Sequence, residues 1–165
     1  MKAKSKVSLI CIILLLSWNL PNSQALAFQH SDKSNLKSSL IAYMKLLAPL
    51  ESQEKTITNG YGAVTGSNYK SDAITLTAFI KLAPKFNEFI SRIEAITPTE
   101  PRIAAAHNLF IEGWNLQDEA LLLDISAMRK SDYGVLSQAN SKLAKGRADI
   151  RAFDAAIKKL IGQSQ

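Results

Sequence analysis

The chain has little cysteine or histidine, and this scarcity excludes several kinds of site. Of its 165 residues one is cysteine and two are histidine. A disulfide needs two cysteines, and a structural zinc site needs four closely spaced ligands. Covalent haem needs Cys-x-x-Cys-His, and a di-iron bundle needs Glu-x-x-His on two helices, but neither motif occurs. We therefore predict no metal site and no cofactor.

Motifs of catalysis are missing as well. The chain has no Gly-x-Ser-x-Gly elbow and no Gly-Lys-Ser/Thr phosphate loop, and its single cysteine, Cys11, lies in an N-terminal apolar run. Its carboxylates, such as Glu112 and Asp118, fall on charged helical segments, where they are usually a solvated face. The sequence predicts no catalytic residues and favours a protein that is not an enzyme.

No apolar run reaches the roughly 20 residues that a membrane-spanning helix needs. The longest has about twelve and ends before Pro21. Three lysines precede it, and the small-any-small pattern Ala25-Leu26-Ala27 follows it, which is the order of a secretory signal. We expect residues 1–27 to be a cleaved signal peptide and the mature protein to be periplasmic or secreted. An uncleaved anchor and lipoprotein processing at Cys11 are the alternatives.

Removal of this segment changes the charge argument. The whole chain has 20 basic and 14 acidic residues and a net charge of +6, which taken alone would suggest nucleic acid. The segment holds three of the lysines and none of the acids, so the mature charge falls to +3. We therefore predict no nucleic-acid partner and, after signal removal, no membrane span.

The remaining residues, 28–165, are long enough for one domain with a hydrophobic core. Four segments repeat apolar residues at helical spacing: 32–58, 72–96 with Ser71 as N-cap, a third that starts after Pro101 and continues to about Lys130, and a fourth from Ser131 onward. Similar lengths and short joints predict an all-α, up-down-up-down four-helix bundle. Pro49 and Pro84 should kink or split the first two helices.

The connection over residues 59–70 breaks the helical pattern. It holds three of the seven glycines and two tyrosines. Because loops at the end of a rigid scaffold often bind ligands, we take Tyr61, Asn68 and Tyr69 as a candidate binding loop. The alternative is a connector whose tyrosines only cover the end of the bundle.

One histidine falls on a predicted apolar stripe and needs a hydrogen-bond partner there. If the third and fourth helices pair about Ser131, His107 comes opposite Asp154, and we predict a buried polar contact between them. His107 and Met44 are also the one pair worth testing as haem ligands. Their depths along the bundle differ by about 7 Å, which disfavours that role.

These observations favour a non-catalytic interaction or structural module outside the cytoplasm, with an unknown protein partner or self-association. The alternative is a bundle that binds a small molecule or a b-type haem. Glu54, His107 and Gln117 are the polar residues on the predicted stripes that a ligand cavity would use. A filled core would favour the first class, and an apolar cavity with a few convergent polar groups would favour the second.

Overall fold

A computed structural model describes residues 27–165, with side chains from Lys33 onward. Within these residues the chain forms five α-helices: α1 Ala27–Leu47, α2 Glu51–Gly62, α3 Asp72–Glu94, α4 Pro101–Lys130 and α5 Leu136–Gln163. Three short 3₁₀ turns lie between them, at Ala48–Leu50, Gly66–Asn68 and Tyr133–Val135. No strand occurs within residues 27–165, so the all-α prediction is confirmed. Of the predicted signal segment 1–27, all but Ala27 lies outside the described residues.

The first predicted helix is divided at its proline. Pro49 has no N–H to continue the hydrogen-bond ladder, and the 3₁₀ turn Ala48–Leu50 separates α1 from α2. Both flanking residues keep right-handed helical angles, Leu47 at φ −78° and Glu51 at φ −58°. The two helices therefore follow one another as a single rod. Pro84 has a different outcome, because α3 continues through it without a break.

Neighbouring rods run in opposite directions. In each pair of rods, the start of one helix lies beside the end of the other: Gln53 contacts Arg92 and Tyr61 contacts Phe79 between α2 and α3, and Phe110 contacts Phe153 and Glu119 contacts Lys142 between α4 and α5. α1 also packs against α5. The arrangement is compatible with the predicted up-down-up-down order.

The predicted apolar stripes form one core. All the apolar members of the first stripe are buried: Leu36, Leu40, Tyr43, Leu47, Leu50 and Ile57. At mid-bundle the stripes of α3, α4 and α5 meet in an aromatic cluster of Phe86, Phe89, Phe110, Trp114 and Phe153. Ser71 caps α3 as predicted, because its Oγ accepts from the N–H of Ile74 at 3.4 Å. These contacts place the core along the axis and leave the ends to the connections.

Helices α4 and α5 approach one another closely at a pair of glycines. A Cβ placed on Gly146 would lie 2.6 Å from the carbonyl oxygen of Gly113, and one on Gly113 would lie 2.8 Å from that of Gly146. No side chain fits in such a gap, so the two backbones touch there. We call Gly113 and Gly146 the glycine contact. None of the described helices is both long enough and apolar enough to cross a bilayer.

Candidate functional site

The connection between α2 and α3 is shorter than predicted and internally braced. We expected the first helical segment to end at residue 58, but α2 continues to Gly62, so this expectation was wrong. Gly60 lies under Leu82 of α3, where an added Cβ would come within 3.0 Å of the leucine side chain. Packing against α3 therefore outweighs the low helix propensity of Asn-Gly.

Past α2 the chain turns sharply and is held to the helix end. Gly66 takes φ +60°, a left-handed conformation that suits glycine. The amide Nδ2 of Asn68 donates to the carbonyl of Gly62 at 2.8 Å, and the hydroxyl of Thr65 donates to the carbonyl of Tyr61 at 2.9 Å. The connection is thus an ordered turn that closes over the end of the bundle.

Two tyrosines meet one carboxylate at this end. The hydroxyl of Tyr69 donates to Oδ1 of Asp72 at 2.8 Å, and the hydroxyl of Tyr133 donates to Oδ2. These two hydrogen bonds hold the pKa of Asp72 below its usual value and raise the pKa of both tyrosines. The set Tyr69, Asp72 and Tyr133, which we call the tyrosine bridge, ties the first turn of α3 to both connections at this end.

A cavity of about 400 Å³ lies beside the tyrosine bridge, and we call it the loop cavity. Its apolar lining comes from α3, α4, α5 and the connection: Val64, Phe79, Met128 and Leu136. Its polar lining consists of Thr65, Tyr69, Asp72, Thr75, Asp124 and Tyr133. A volume of this size, with an apolar wall and a few convergent polar groups, is typical of small-molecule sites.

Asp124 of α4 is the carboxylate of the loop cavity that has no hydrogen-bond partner among the described residues. Its side chain is half-buried, and burial raises the pKa of its carboxyl to about 6. Within residues 27–165 no hydrogen bond or ion pair reaches this carboxylate. Asp72, by contrast, has a hydroxyl donor on each oxygen. Asp124 therefore has the polar capacity that a ligand in the cavity would use.

The candidate loop residues have separate roles. Tyr69 lines the loop cavity, with 52% of its surface exposed. Asn68 braces the turn through Gly62. Tyr61 belongs to α2, where its ring stacks on Phe79 with centroids 5.1 Å apart and planes 12° apart.

Tyr61 lines a smaller neighbouring cavity of about 240 Å³, together with Gln117 and Arg147. The ring of Trp114, whose indole N–H has no hydrogen-bond partner among the described residues, forms part of the same wall. Gln117 donates weakly to the carbonyl of Gly113, at 3.4 Å. Of the three polar residues expected to serve a cavity, only Gln117 lines this one.

A third cavity, of about 450 Å³, lies at the opposite end of the bundle, between α1 and the connection from α3 to α4. Its charged residue is Glu100, whose carboxylate accepts from Arg102 at 2.6 Å and from the N–H of Ile103 at 3.0 Å. Because Glu100 already caps α4 and pairs with an arginine, this cavity offers no unsatisfied charge. The loop cavity is the better candidate site.

His107 is buried and fully hydrogen-bonded, but its partners are not the predicted one. Its Nε2–H donates to the carbonyl of Ile93 at 3.0 Å, and its Nδ1 accepts from the hydroxyl of Tyr43 at 2.9 Å. The predicted pairing with Asp154 is thus corrected to Tyr43 and Ile93. The predicted pairing of the third and fourth helices gave the position of His107 along the bundle axis. It could not identify Tyr43 of α1 as the partner.

Burial lowers the pKa of His107, and the neutral ring suits one donated and one accepted hydrogen bond. Both ring nitrogens are engaged, so neither is free to ligate a haem iron opposite Met44. Among the described residues no three His, Cys, Asp or Glu side chains come together as metal ligands would.

Asp154 lies instead near Glu54, the acidic residue on the first stripe. Its charge acts on Glu54 of α2, whose pKa is raised to about 7 by burial first and then by Asp154 and Glu51. Burial raises the pKa of Asp154 also, and Lys158 opposes that shift. Glu54 is therefore a partly buried acid in the wall of the bundle, and it lines none of these three cavities.

Sequence reasoning missed Asp72, Asp124 and Tyr133 as site residues. One signal was available, since Asp124 lies three residues after Leu121 and four before Met128, at the margin of the apolar stripe of α4. A carboxylate in that place must find a partner or a cavity.

No protein-family model, curated protein or solved structure matches this chain.

Proposed function

We propose that the protein is an exported, non-catalytic helical bundle that binds a small, partly apolar molecule in the loop cavity. The observation that carries the proposal is a ligand-sized space with an apolar wall and one half-buried carboxylate, Asp124, without a partner. Preformed cavities of this kind are the usual sites of small-molecule binding. Export is supported by the order of charge, apolar run and small residues over 1–27.

Native mass spectrometry of the full chain, isolated from its own host, tests both parts. We expect a polypeptide that begins at Phe28, found outside the cytoplasm, with an additional small mass attached. Val64→Phe should abolish the additional mass by filling the loop cavity, while an unchanged circular dichroism spectrum shows that the fold is kept. Retention of residues 1–27 would contradict export. An adduct that persists in Val64→Phe would contradict binding in this cavity.

Protein interaction is the second candidate, and one observation favours it. Of the six large apolar side chains that are exposed among the described residues, three lie at this end of the bundle: Tyr69, Ile74 and Tyr133. Exposed apolar groups gathered at one place are typical of contact surfaces. A stable complex or dimer in the same mass spectrum, lost in Ile74→Ser, would favour this function, and a monomer without any bound chain would contradict it.

A further inference from the structure

The charges that line the loop cavity all have one sign. Its lining includes Asp72 and Asp124 and contains no lysine, arginine or histidine. The chain as a whole carries a net charge of +6, so this negative cavity is a local exception. A site whose polar side chains are all carboxylates and hydroxyls attracts positive ligands and repels negative ones.

The two carboxylates are in different states. Both carboxylate oxygens of Asp72 already have hydrogen-bond donors, because each accepts from a tyrosine hydroxyl. Asp124 has no such donor, and burial raises its pKa to about 6. A neutral or negative ligand would remove more water from Asp124 and give no charge in return, which is unfavourable for a buried ion. A positive ligand would supply the missing partner.

The remainder of the lining defines what kind of cation fits. A small metal ion prefers six or more oxygen ligands, and the described residues contain no group of three acidic or metal-ligating side chains. Phe79, Val64 and Met128 instead offer an apolar wall, which suits a hydrocarbon group. The cavity thus fits an organic ion with an apolar part and one positive end.

We infer that the loop cavity selects an organic amine or quaternary ammonium compound and that Asp124 is its counter-ion. This inference rests on the proposed function, since it names the ligand class of the same cavity. The positively charged nitrogen lies against the carboxylate of Asp124, and the hydrocarbon part lies on the apolar wall. The tyrosine bridge occupies both oxygens of Asp72 with hydrogen bonds, so Asp124 is the carboxylate that discriminates between ligands.

A matched set of probes tests this selection in the full mature chain. Phenethylamine, 2-phenylethanol and phenylacetate share a ring and differ in the charge of the end group. We would extend the set to triplets with other apolar groups and measure binding by ligand-observed NMR near pH 7.5. The amine of a triplet should bind at least about tenfold more tightly than the alcohol, and the carboxylate should not bind.

Asp124→Asn identifies the residue responsible. It should weaken the amine about tenfold or more while leaving the alcohol unchanged, because the apolar wall is kept. Glu88→Gln removes an exposed carboxylate of α3 outside the cavity and is the control for a change in net charge, with no effect expected. Circular dichroism checks the fold of each variant.

The outcomes separate the inference from the proposed function. If the amine, alcohol and carboxylate bind equally, or if Asp124→Asn leaves amine binding unchanged, charge selection is wrong while ligand binding in the cavity stands. If no member of any triplet binds to the wild-type chain, and its thermal unfolding is unchanged at saturating probe, the proposed function fails and the inference with it.

Discussion

Glu54 is a residue at which folding opposes ionisation, because burial raises the pKa of its carboxyl. Its pKa of about 7 in the folded chain exceeds its ordinary value of 4.5. The folded state therefore holds a proton that the unfolded state has lost, and stability falls as pH rises from about 4.5 to 7. Packing of Glu54 into the wall of the bundle removes water from its carboxyl group and so disfavours the charged form.

Glu54→Gln should remove that loss. We expect the variant to be more stable than wild type at pH 8, by on the order of 2 kcal/mol, and nearly equal at pH 4.5, because the amide resembles the protonated acid. Urea denaturation at both pH values measures the difference. Glu88→Gln, an exposed substitution, should leave the profile unchanged. Parallel profiles for wild type and Glu54→Gln would show that Glu54 is ionised in the fold.

The hydroxyl of Tyr43 satisfies the buried Nδ1 of His107. Tyr43→Phe keeps the ring in the core and leaves that nitrogen without a partner, so it should cost about 1–2 kcal/mol of unfolding free energy. Tyr69→Phe is the matched control, since its hydroxyl is exposed and Asp72 keeps its bond to Tyr133. We expect the control to cost less than about 0.5 kcal/mol. Equal losses in chemical denaturation would argue against the buried hydrogen bond.

Between elements, the glycine contact sets how closely α4 and α5 approach. Gly146→Ala would bring a methyl group against the carbonyl of Gly113, so the backbones must separate. We expect a loss of about 1–3 kcal/mol, larger than the gain in helix propensity of about 1 kcal/mol. Gly162→Ala in the same helix meets nothing within 4 Å and should stabilise slightly. Thermal unfolding of both variants tests the contrast, and a stabilised Gly146→Ala would contradict it.

Helical elements were predictable because their signals are local. The bounds of α4 and the Ser71 cap follow from Pro101, Ser131 and a regular apolar stripe, all within a few residues of the features they fix. Ser131 ends α4 in the left-handed conformation, at φ +50°. The end of α2 was not predictable in this way, because Leu82 of another helix packs over Gly60.

The site was less predictable because its parts are far apart in the chain. Tyr69 was expected from the loop, but its hydroxyl meets Asp72, which Tyr133 also reaches from 61 residues away. Asp124 reaches the same cavity from the middle of the sequence. Periodicity assigns each residue to a face of its own helix and says nothing about which ends of other helices share that space.

On the scale of the whole molecule, the first and last rods are neighbours. α1 packs against α5, with the rings of Tyr43 and Phe153 6.5 Å apart. Since successive rods alternate in direction, the start of the first and the end of the last lie at the same end of the bundle. That is the end opposite the loop cavity.

The chain can therefore be closed into a ring and reopened elsewhere. A circular permutant that joins Gln165 to Lys33 by a short flexible linker and opens between Thr97 and Thr99, both exposed, should keep its helical spectrum and its cooperative melting. Opening at Gly113 instead would cut α4 where it touches α5 and should prevent folding. A permutant that melts without cooperativity would mean that the order of the helices along the chain, as well as their contacts, determines this fold.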